Sequence, residues 1–222
     1  STQLEIVELE TLARLKTEAE LKSLQAQIHP HFIFNALNTI ISLIRIDPNK
    51  AKNLLINLAT FLRYSLKKER EISLKEELSY VEAYLSIEQT RYQDKLTVNY
   101  CIDTAVDLNT PLPPFTIQPL VENSIKHGLK SKLEGGEILI SIYDENENTV
   151  ISVEDNGIGL NNEHKTEKKS TGLGLYLVNE RLRRFYGNES TLNIESYPRL
   201  GTKITFKIPK RFVYHDVFSY SS

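Results

Sequence analysis

The chain has 222 residues, of which 40% are hydrophobic and 25% charged, and its formal net charge is -2. This composition is ordinary for a globular protein of one large or two small domains, and it gives no reason to expect nucleic acid or an anionic membrane as a partner. The single cysteine, Cys101, excludes an internal disulfide and a cysteine-cluster metal site. No apolar run approaches the roughly 20 residues that cross a bilayer. Methionine is absent even at position 1, so we expect a fragment of a longer protein.

Residues 1–92 have apolar residues at helical spacing almost throughout. Steps of three and four run from Leu21 to Ile44 and resume beyond Pro48. Asp47 and Pro48 predict a stop and a restart, since Asp caps helices and Pro suits a first helical position. We therefore predict two antiparallel helical arms joined near Asp47.

The second arm contains a further predicted break. The polar segment Lys67–Glu71 interrupts the pattern, and Ser73–Glu76 then has the form of a capping box. A hairpin of such arms cannot cover its own apolar stripe, so we expect a homodimer in which two copies form a four-helix bundle. The stripe consists of Leu24, Ile28, Leu37, Ile41, Leu54, Leu58 and Leu62.

After Tyr92 the apolar pattern changes to a period of two, which is typical of strands. Strands are predicted at Leu96–Ile102, Glu137–Tyr143, Thr149–Val153, Thr191–Glu195 and Thr202–Ile208. Two helices, Gln118–Leu129 and Leu173–Tyr186, interleave with them. The sequence thus predicts a helical domain at 1–92, followed at 93–222 by an α+β domain whose mixed sheet is covered on one face by helices.

The motif Asp155-Asn156-Gly157-Ile158-Gly159 ends a predicted strand. Alone it is a weak signal, because similar sequences form many tight turns. In a nucleotide site, the Asp155 carboxylate could accept the exocyclic amino hydrogen of adenine, which distinguishes ATP from GTP. Gly157 and Gly159 have no Cβ and would let the backbone approach the base and the sugar.

A second glycine motif, Thr171-Gly172-Leu173-Gly174-Leu175, follows the polar segment Asn161–Ser170. We place Gly172 and Gly174 before the helix that runs from about Leu173, where their amides and the positive helix end could hold phosphates. The polar segment has no apolar residue to anchor it. We therefore expect a mobile lid that closes over the triphosphate of ATP.

A third motif, Glu122-Asn123-Ser124-Ile125-Lys126-His127-Gly128, lies on a predicted helix. Asn123 could supply a neutral oxygen to a magnesium ion, since hard cations prefer oxygen ligands. Lys126 and His127 lie three and four residues further on, on the same helix face. The hydroxyl of Thr202 would either lie near the phosphates or belong to a plain hairpin turn.

Together these motifs resemble the ATP-binding domain shared by histidine kinases, type II topoisomerases, Hsp90 and MutL. Upstream, Gln27–Asn38, Leu62–Leu66 and Tyr84–Glu88 resemble the LytS/YesM type of sensor histidine kinase. The resemblance covers roughly Leu21 to Ile208. It implies a helical hairpin that dimerises into a four-helix bundle, followed by an α/β sandwich of the histidine-kinase/Hsp90-like ATPase type.

The resemblance also implies a function. In that family the histidine between Pro and Phe is the phosphoacceptor, which corresponds to His31 here. His31 would be phosphorylated from ATP and would pass the phosphoryl group to an aspartate of a response regulator. Asn123 carries over as the Mg²⁺ ligand, Asp155 as the adenine contact, and the Gly172/Gly174 turn as the phosphate end of the lid. A sensor or membrane region would lie upstream, so this chain would be the cytoplasmic region of a membrane-anchored bacterial sensor.

Two histidines compete for the acceptor role. His29 and His31 are two residues apart, so on a helix they face directions about 200° apart. His31 shares the apolar stripe with Leu24 and Ile28, and His29 is not at the position that the family uses. His31 is therefore the predicted acceptor.

The general base is a separate question. Many other histidine kinases place an acid directly after the histidine, but Phe32 occupies that position here. Glu122, beside Asn123, is the candidate base, and the alternative is that it is a simple surface charge.

Three alternatives use the same ATPase fold. An ATP-driven clamp or chaperone needs a glutamate four residues before the magnesium asparagine, and this chain has Pro119 there. A serine kinase of the anti-sigma type has no long hairpin that carries a histidine. A degenerate scaffold would bind ATP without catalysing phosphoryl transfer. The intact asparagine, aspartate and glycines argue against this alternative.

Overall fold

The computed structural model describes residues 30–66, 69–93, 95–129, 135–159 and 168–210, without the side chains of 127–128 and 168–173. Three helices come first in this part of the chain: α1 at Pro30–Leu43, α2 at Pro48–Ser65 and α3 at Leu74–Tyr92. None of the described helices is both long and apolar enough to cross a bilayer.

Local capping explains where α2 and α3 begin. The side chain of Asp47 accepts a hydrogen bond from the backbone N–H of Lys50 at 2.9 Å, and Pro48 is the first residue of α2. Ser73 and Glu76 form a reciprocal capping box at the start of α3, with bonds of 3.2 Å and 3.0 Å. Both predicted helix starts are therefore confirmed.

The second half is built on one five-stranded sheet in the order β2-β4-β5-β7-β6. Its strands are β2 (Leu96–Ile102), β4 (Gly136–Glu145), β5 (Asn148–Asp155), β6 (Asn193–Tyr197) and β7 (Gly201–Pro209). The pair β2–β4 is parallel and the other pairs are antiparallel. The predicted α+β class with a mixed sheet is confirmed.

A two-stranded antiparallel ribbon joins the helical part to this half. It pairs β1 (Ile72–Ser73), directly before α3, with β3 (Pro111–Leu112). The ribbon therefore brings the start of α3 beside the segment that leads into the next helix.

The helices of the second half are α4 (Gln118–Asn123) and α5 (Lys168–Tyr186). α4 continues without interruption as a π-helical turn, Ser124–Leu129, so the predicted helix Gln118–Leu129 exists but widens halfway. These elements share the hydrophobic core of the sheet. Core residues from the helices are Leu120, Val121, Ile125, Leu129, Val178 and Leu182, and those from the sheet include Ile138, Ile140, Ile142, Ile151, Val153, Ile204 and Phe206.

The same core extends into the three N-terminal helices. Phe32, Phe61 and Tyr84 belong to it, and α3 contacts both β2 and α4. The boundary between 1–92 and 93–222 stays a prediction, because one contiguous core crosses it.

The apolar stripes of the hairpin differ from our expectation. Leu54 and Leu58 of α2 are 2% and 3% exposed, because α1 and α3 pack over them within one chain. Leu37 and Ile41 of α1 are 38% and 65% exposed. The expectation that a single chain leaves the whole stripe open is therefore wrong for α2 and holds for α1. Leu24 and Ile28 lie outside the described residues.

Candidate functional site

His31 is the second residue of α1, and its side chain is exposed. Its neighbour Phe32 points into the core, with ring centroids 4.7 Å from Phe61 and 4.9 Å from Tyr84. The side-chain amide nitrogen of Asn35 (Nδ2), one turn later, lies 3.2 Å from Nδ1 of His31. The anchored Phe32 thus fixes α1 so that His31 faces solvent, and Asn35 orients the imidazole ring. His29 lies outside the described residues.

Asp155 ends β5 and is only 3% exposed. Its Oδ1 accepts the backbone N–H of Gly157 at 2.9 Å, while Oδ2 is buried without a hydrogen-bond partner among the described residues. Burial raises the pKa of this carboxyl, and the nearby Ser124 hydroxyl and the backbone of Gly157 and Thr202 lower it in part. An unpaired buried acceptor of this kind fits the exocyclic amino group of adenine.

Ser124, whose hydroxyl lies near Asp155, was not among the predicted site residues. Its only signal was its position directly after Asn123 in the chain. Asn123 is the last residue of α4 and is half-buried, and Ser124 opens the π-helical turn. Because Ser124 is beside Asp155, the Asn123 end of α4 lies at the same end of the sheet as the predicted adenine contact.

Glu122 and Lys126 contact each other. One carboxylate oxygen of Glu122 accepts from Nζ of Lys126, and the other accepts from the side-chain amide of Gln118 at 2.9 Å. The candidate base, Glu122, is therefore ion-paired with Lys126. The side chain of His127 is not among those described.

Gly159 and Gly201 occupy positions that only glycine fits. Their φ angles are +65° and +111°, and an added Cβ would lie 2.0 Å from the carbonyl oxygen of Tyr197 and 1.8 Å from that of Asp155, respectively. For Gly159 the close neighbour is thus the protein backbone, which is a structural reason beside the predicted approach to a nucleotide. Gly157 is buried.

Thr202 lies directly opposite Asp155 in the β5–β7 pair, and its hydroxyl is 2.7 Å from that of Ser196. We expected this hydroxyl near the phosphates or in a plain turn. Its register places it beside the predicted adenine contact, because residues opposite each other on paired strands share one face of the sheet. It also follows the β6–β7 turn directly, and both of its predicted roles stay predictions.

The glycine motif at 171–175 departs from its predicted position. α5 begins at Lys168 rather than near Leu173, so Gly172 and Gly174 lie inside the helix instead of before it. A glycine costs a helix only about 1 kcal/mol, which the surrounding helix formers overcome. An added Cβ at Gly174 would meet no described atom within 4 Å outside its own helix backbone, and Leu175 is half-buried against the core.

Thr171, Gly172 and Leu173 are described by backbone only. Of the predicted lid, residues 161–167 lie outside the described residues and 168–170 form the first turn of α5. No group of three or more His, Cys, Asp or Glu side chains that could hold a metal occurs among the described residues. Asn123 as a magnesium ligand stays a prediction.

Two family models match the chain. One, described as Histidine kinase, matches residues 19–96, and the other, described as Histidine kinase-, DNA gyrase B-, and HSP90-like ATPase, matches residues 115–211. A helical region that carries a histidine, followed by this ATPase fold, defines the catalytic region of a histidine kinase.

Curated relatives make the assignment narrower. Sensor protein LytS of Bacillus anthracis is 42% identical to this chain, with 95% of this chain and 37% of that protein covered. Sensor protein LytS of Staphylococcus saprophyticus is 44% identical, with 98% and 37% covered. A histidine kinase domain from Erythrobacter litoralis superimposes with a TM-score of 0.48 and 17% identity, covering 88% of this chain and 95% of that one.

The chain belongs to the LytS-type sensor histidine kinases, as its sequence motifs indicated. It spans 37% of the length of these LytS relatives.

Proposed function

We propose that this chain binds ATP between α4, β5 and α5, phosphorylates itself on His31 and passes the phosphoryl group to an aspartate of a response regulator. The observation that carries the proposal is that an exposed histidine and a buried carboxylate lie on elements that share one hydrophobic core. His31 is exposed and oriented by Asn35, and Asp155 offers a buried acceptor without a partner among the described residues.

The chemistry follows from the side chains. Nitrogen of the neutral His31 imidazole attacks the γ-phosphorus of ATP, so that an N–P bond forms, the bond to the bridging oxygen breaks, and ADP leaves. The displaced imidazole proton passes to a base, for which we propose Glu122. A magnesium ion bound with the help of Asn123 would neutralise charge on the phosphates. Because little covalent chemistry falls to the protein, positioning and electrostatics dominate the rate.

The other site residues have proposed positions around the nucleotide. Asp155, Gly157, Gly159 and Thr202 would surround the adenine and sugar. Thr171, Gly172, Leu173, Gly174 and Leu175, with Lys126 and His127, would surround the phosphates. Since Gly172 and Gly174 are helical in this structure, holding phosphates through their amides requires the first turns of α5 to unwind.

The proposed assembly is a homodimer. α1 carries a second apolar stripe on the side that does not face the core, and its exposed members are Phe34, Leu37 and Ile41; the exposed Ile44 directly follows the helix. Pairing two such stripes would bury them in a four-helix bundle. Light scattering should give twice the mass of 25.5 kDa, and a monomer would contradict the bundle.

The cellular setting is also a proposal. By its membership of the family, the chain would be the cytoplasmic region of a membrane-anchored bacterial sensor. Fractionation of cells that express the full-length protein would test this: recovery in the membrane fraction is expected, and recovery only in the soluble fraction would contradict it.

The test of the activity is incubation with γ-labelled ATP and magnesium, followed by treatment with acid or base. Phosphohistidine is lost in acid and survives base, whereas phosphoserine survives acid. Label that disappears in acid supports the histidine kinase. Acid-stable label would support a serine kinase, and absence of label would support a clamp or a scaffold. The match of residues 19–96 to the histidine kinase model favours the first outcome.

A further inference from the structure

Glu77 of α3 is a fully buried carboxylate that nothing in the proposed chemistry uses. Its Oε1 accepts the backbone N–H groups of Thr116, Ile117 and Gln118 at 2.9, 2.8 and 3.3 Å. Its Oε2 accepts the N–H of Phe115 at 3.1 Å. A buried charge is costly unless it is hydrogen-bonded, and these four consecutive amides offset much of that cost.

The fifth donor comes from a different element. The hydroxyl of Tyr64, near the end of α2, donates to Oε2 of Glu77 at 2.6 Å. Burial raises the pKa of Glu77, whereas the Tyr64 hydroxyl and the backbone amides lower it. All five contacts are donors, so the ionised carboxylate is the form that fits this site.

The segment held by Glu77 leads directly into α4 and Asn123. Phe115 within it has a φ of +59°, a left-handed conformation that a bulky residue adopts only when its surroundings impose it. Arg181 of α5 also holds this segment, since Nη1 donates to the carbonyl oxygens of Pro114 and Phe115 at 2.8 and 2.7 Å. The segment is thus fixed by α3 and by the helix that carries the glycine motif.

Tyr64 connects this junction to the phosphoacceptor helix. Its ring stacks on Tyr80 at 4.1 Å and meets Phe115 edge-on at 5.3 Å. Phe61, one turn earlier on α2, packs against Phe32, the neighbour of His31. A continuous set of contacts therefore runs from α1 through α2 and Glu77 to the start of α4.

We propose that Glu77 is a positioning residue, and that its bond with the Tyr64 hydroxyl sets the phosphoacceptor helices relative to the nucleotide site. The inference rests on the proposed function for its effect on phosphorylation. The structural part of the inference does not depend on the proposed function: a shift of α2 that takes the Tyr64 hydroxyl away from Glu77 loosens the backbone at 115–118.

The test compares Tyr64→Phe with a matched control, Tyr80→Phe. Both variants keep the stacked ring and lose one hydroxyl, but only that of Tyr64 donates to Glu77; the Tyr80 hydroxyl lies 3.4 Å from that of Ser65. Each substitution removes only one oxygen atom from the core, so both variants should fold. Glu77→Gln is a third variant, which keeps the shape and removes the charge.

Three readouts are needed. Tyr64→Phe should speed hydrogen exchange of the amides at 115–118 and lower the labelling rate at saturating ATP, each about tenfold, as expected for loss of one hydrogen bond to a charged group. Its affinity for a non-hydrolysable ATP analogue should stay within about twofold of wild type, since the adenine contacts are untouched. Tyr80→Phe should change none of the three.

The outcomes separate this inference from the proposed function. Unchanged exchange at 115–118 in Tyr64→Phe overturns the inference, whether or not the protein labels. Equal losses in Tyr64→Phe and Tyr80→Phe overturn it as well, because they indicate general loosening. A wild-type protein that does not label removes the proposed function, while the exchange comparison still decides whether Tyr64 holds the segment through Glu77.

Discussion

Glu77 and Asp155 are both buried carboxylates, but their hydrogen bonding is opposite. Glu77 accepts from a hydroxyl and from consecutive backbone amides, so both of its oxygens are satisfied by the protein. Asp155 uses Oδ1 for the N–H of Gly157 and leaves Oδ2 unpaired among the described residues. A carboxylate satisfied by the protein fixes the fold, whereas a buried acceptor left open is suited to a ligand.

The largest effect that this comparison predicts is on stability. Glu77→Ala leaves the Tyr64 hydroxyl and four backbone amides, three of them in buried residues, without an acceptor, so the free energy of unfolding should fall by about 4 kcal/mol or more. Urea denaturation measures this. A loss below about 1 kcal/mol would show that water satisfies these amides and that Glu77 does not hold the segment.

Substitution of Asp155 should weaken ligand binding and leave stability intact, the reverse of the effect expected at Glu77. Asp155→Asn keeps an oxygen for the N–H of Gly157 but presents a donor or a weaker acceptor to adenine, so ATP affinity should fall about thirtyfold, equivalent to roughly 2 kcal/mol. Stability at neutral pH should stay equal or rise, because burial raises the pKa of Asp155 and penalises its ionised form in the folded state.

If Asp155→Asn binds ATP more weakly, the cause is either lost adenine recognition or a destabilised protein. Calorimetry with ATP and with GTP separates these two explanations. Wild type should prefer ATP, and Asp155→Asn should lose that preference. Unchanged ATP affinity in the variant, or an equal loss of ATP and GTP binding in a destabilised protein, would remove the adenine role.

Asn123→Ala sharpens the comparison at the phosphate end. The variant loses a proposed magnesium ligand, so ATP affinity in the presence of magnesium should fall about tenfold, while affinity in EDTA should stay near wild type. The adenine contact at Asp155 is intact in this variant. Equal losses with and without magnesium would contradict a metal role for Asn123.

Glu88 is an intermediate case, a buried carboxylate that forms an ion pair with Arg91 and also lies near the charges of Glu122 and Lys126. Burial raises its pKa to about 7, against the opposing effect of Arg91, whose Nη2 lies 2.7 Å from Oε2. Between the unfolded value and about pH 7 the folded state holds a proton that the unfolded state has lost, so wild-type stability falls as pH rises through this range. Glu88→Gln avoids that loss but leaves Arg91 unpaired.

The expected gain for Glu88→Gln is therefore modest, roughly 1 kcal/mol at pH 8, and it should vanish near pH 5. Thermal unfolding of both proteins at the two pH values measures it. A gain of the same size at pH 5 would show that Glu88 acts through packing and not through its charge.

Local signals explain what the sequence predicted well. Asp47 with Pro48, and Ser73 with Glu76, act within a few residues, so the starts of α2 and α3 could be read directly. Strand alternation likewise predicted β2 at Leu96–Ile102 with its observed bounds.

Distant and backbone-mediated contacts could not be predicted. Four of the five partners of Glu77 are backbone amides 38 to 41 residues away, and every residue except proline has such an amide, so the sequence does not mark them. A Cβ at Gly159 would clash with the backbone carbonyl of Tyr197. A contact with a backbone carbonyl likewise leaves no mark in the sequence. The early start of α5 was also missed: Gly172 and Gly174 were expected before the helix as a phosphate-binding turn, whereas they lie inside it.

The most direct measurement of the central claim is labelling by γ-labelled ATP in wild type, His31→Gln and His29→Gln, with nucleotide affinity measured in each. Because His31 lies on α1 and the proposed nucleotide contacts lie on α4, β5 and α5, His31→Gln should abolish acid-labile label with ATP-analogue affinity within about twofold of wild type. His29→Gln should label normally. Label retained in His31→Gln, or lost in His29→Gln alone, would contradict His31 as the phosphoacceptor.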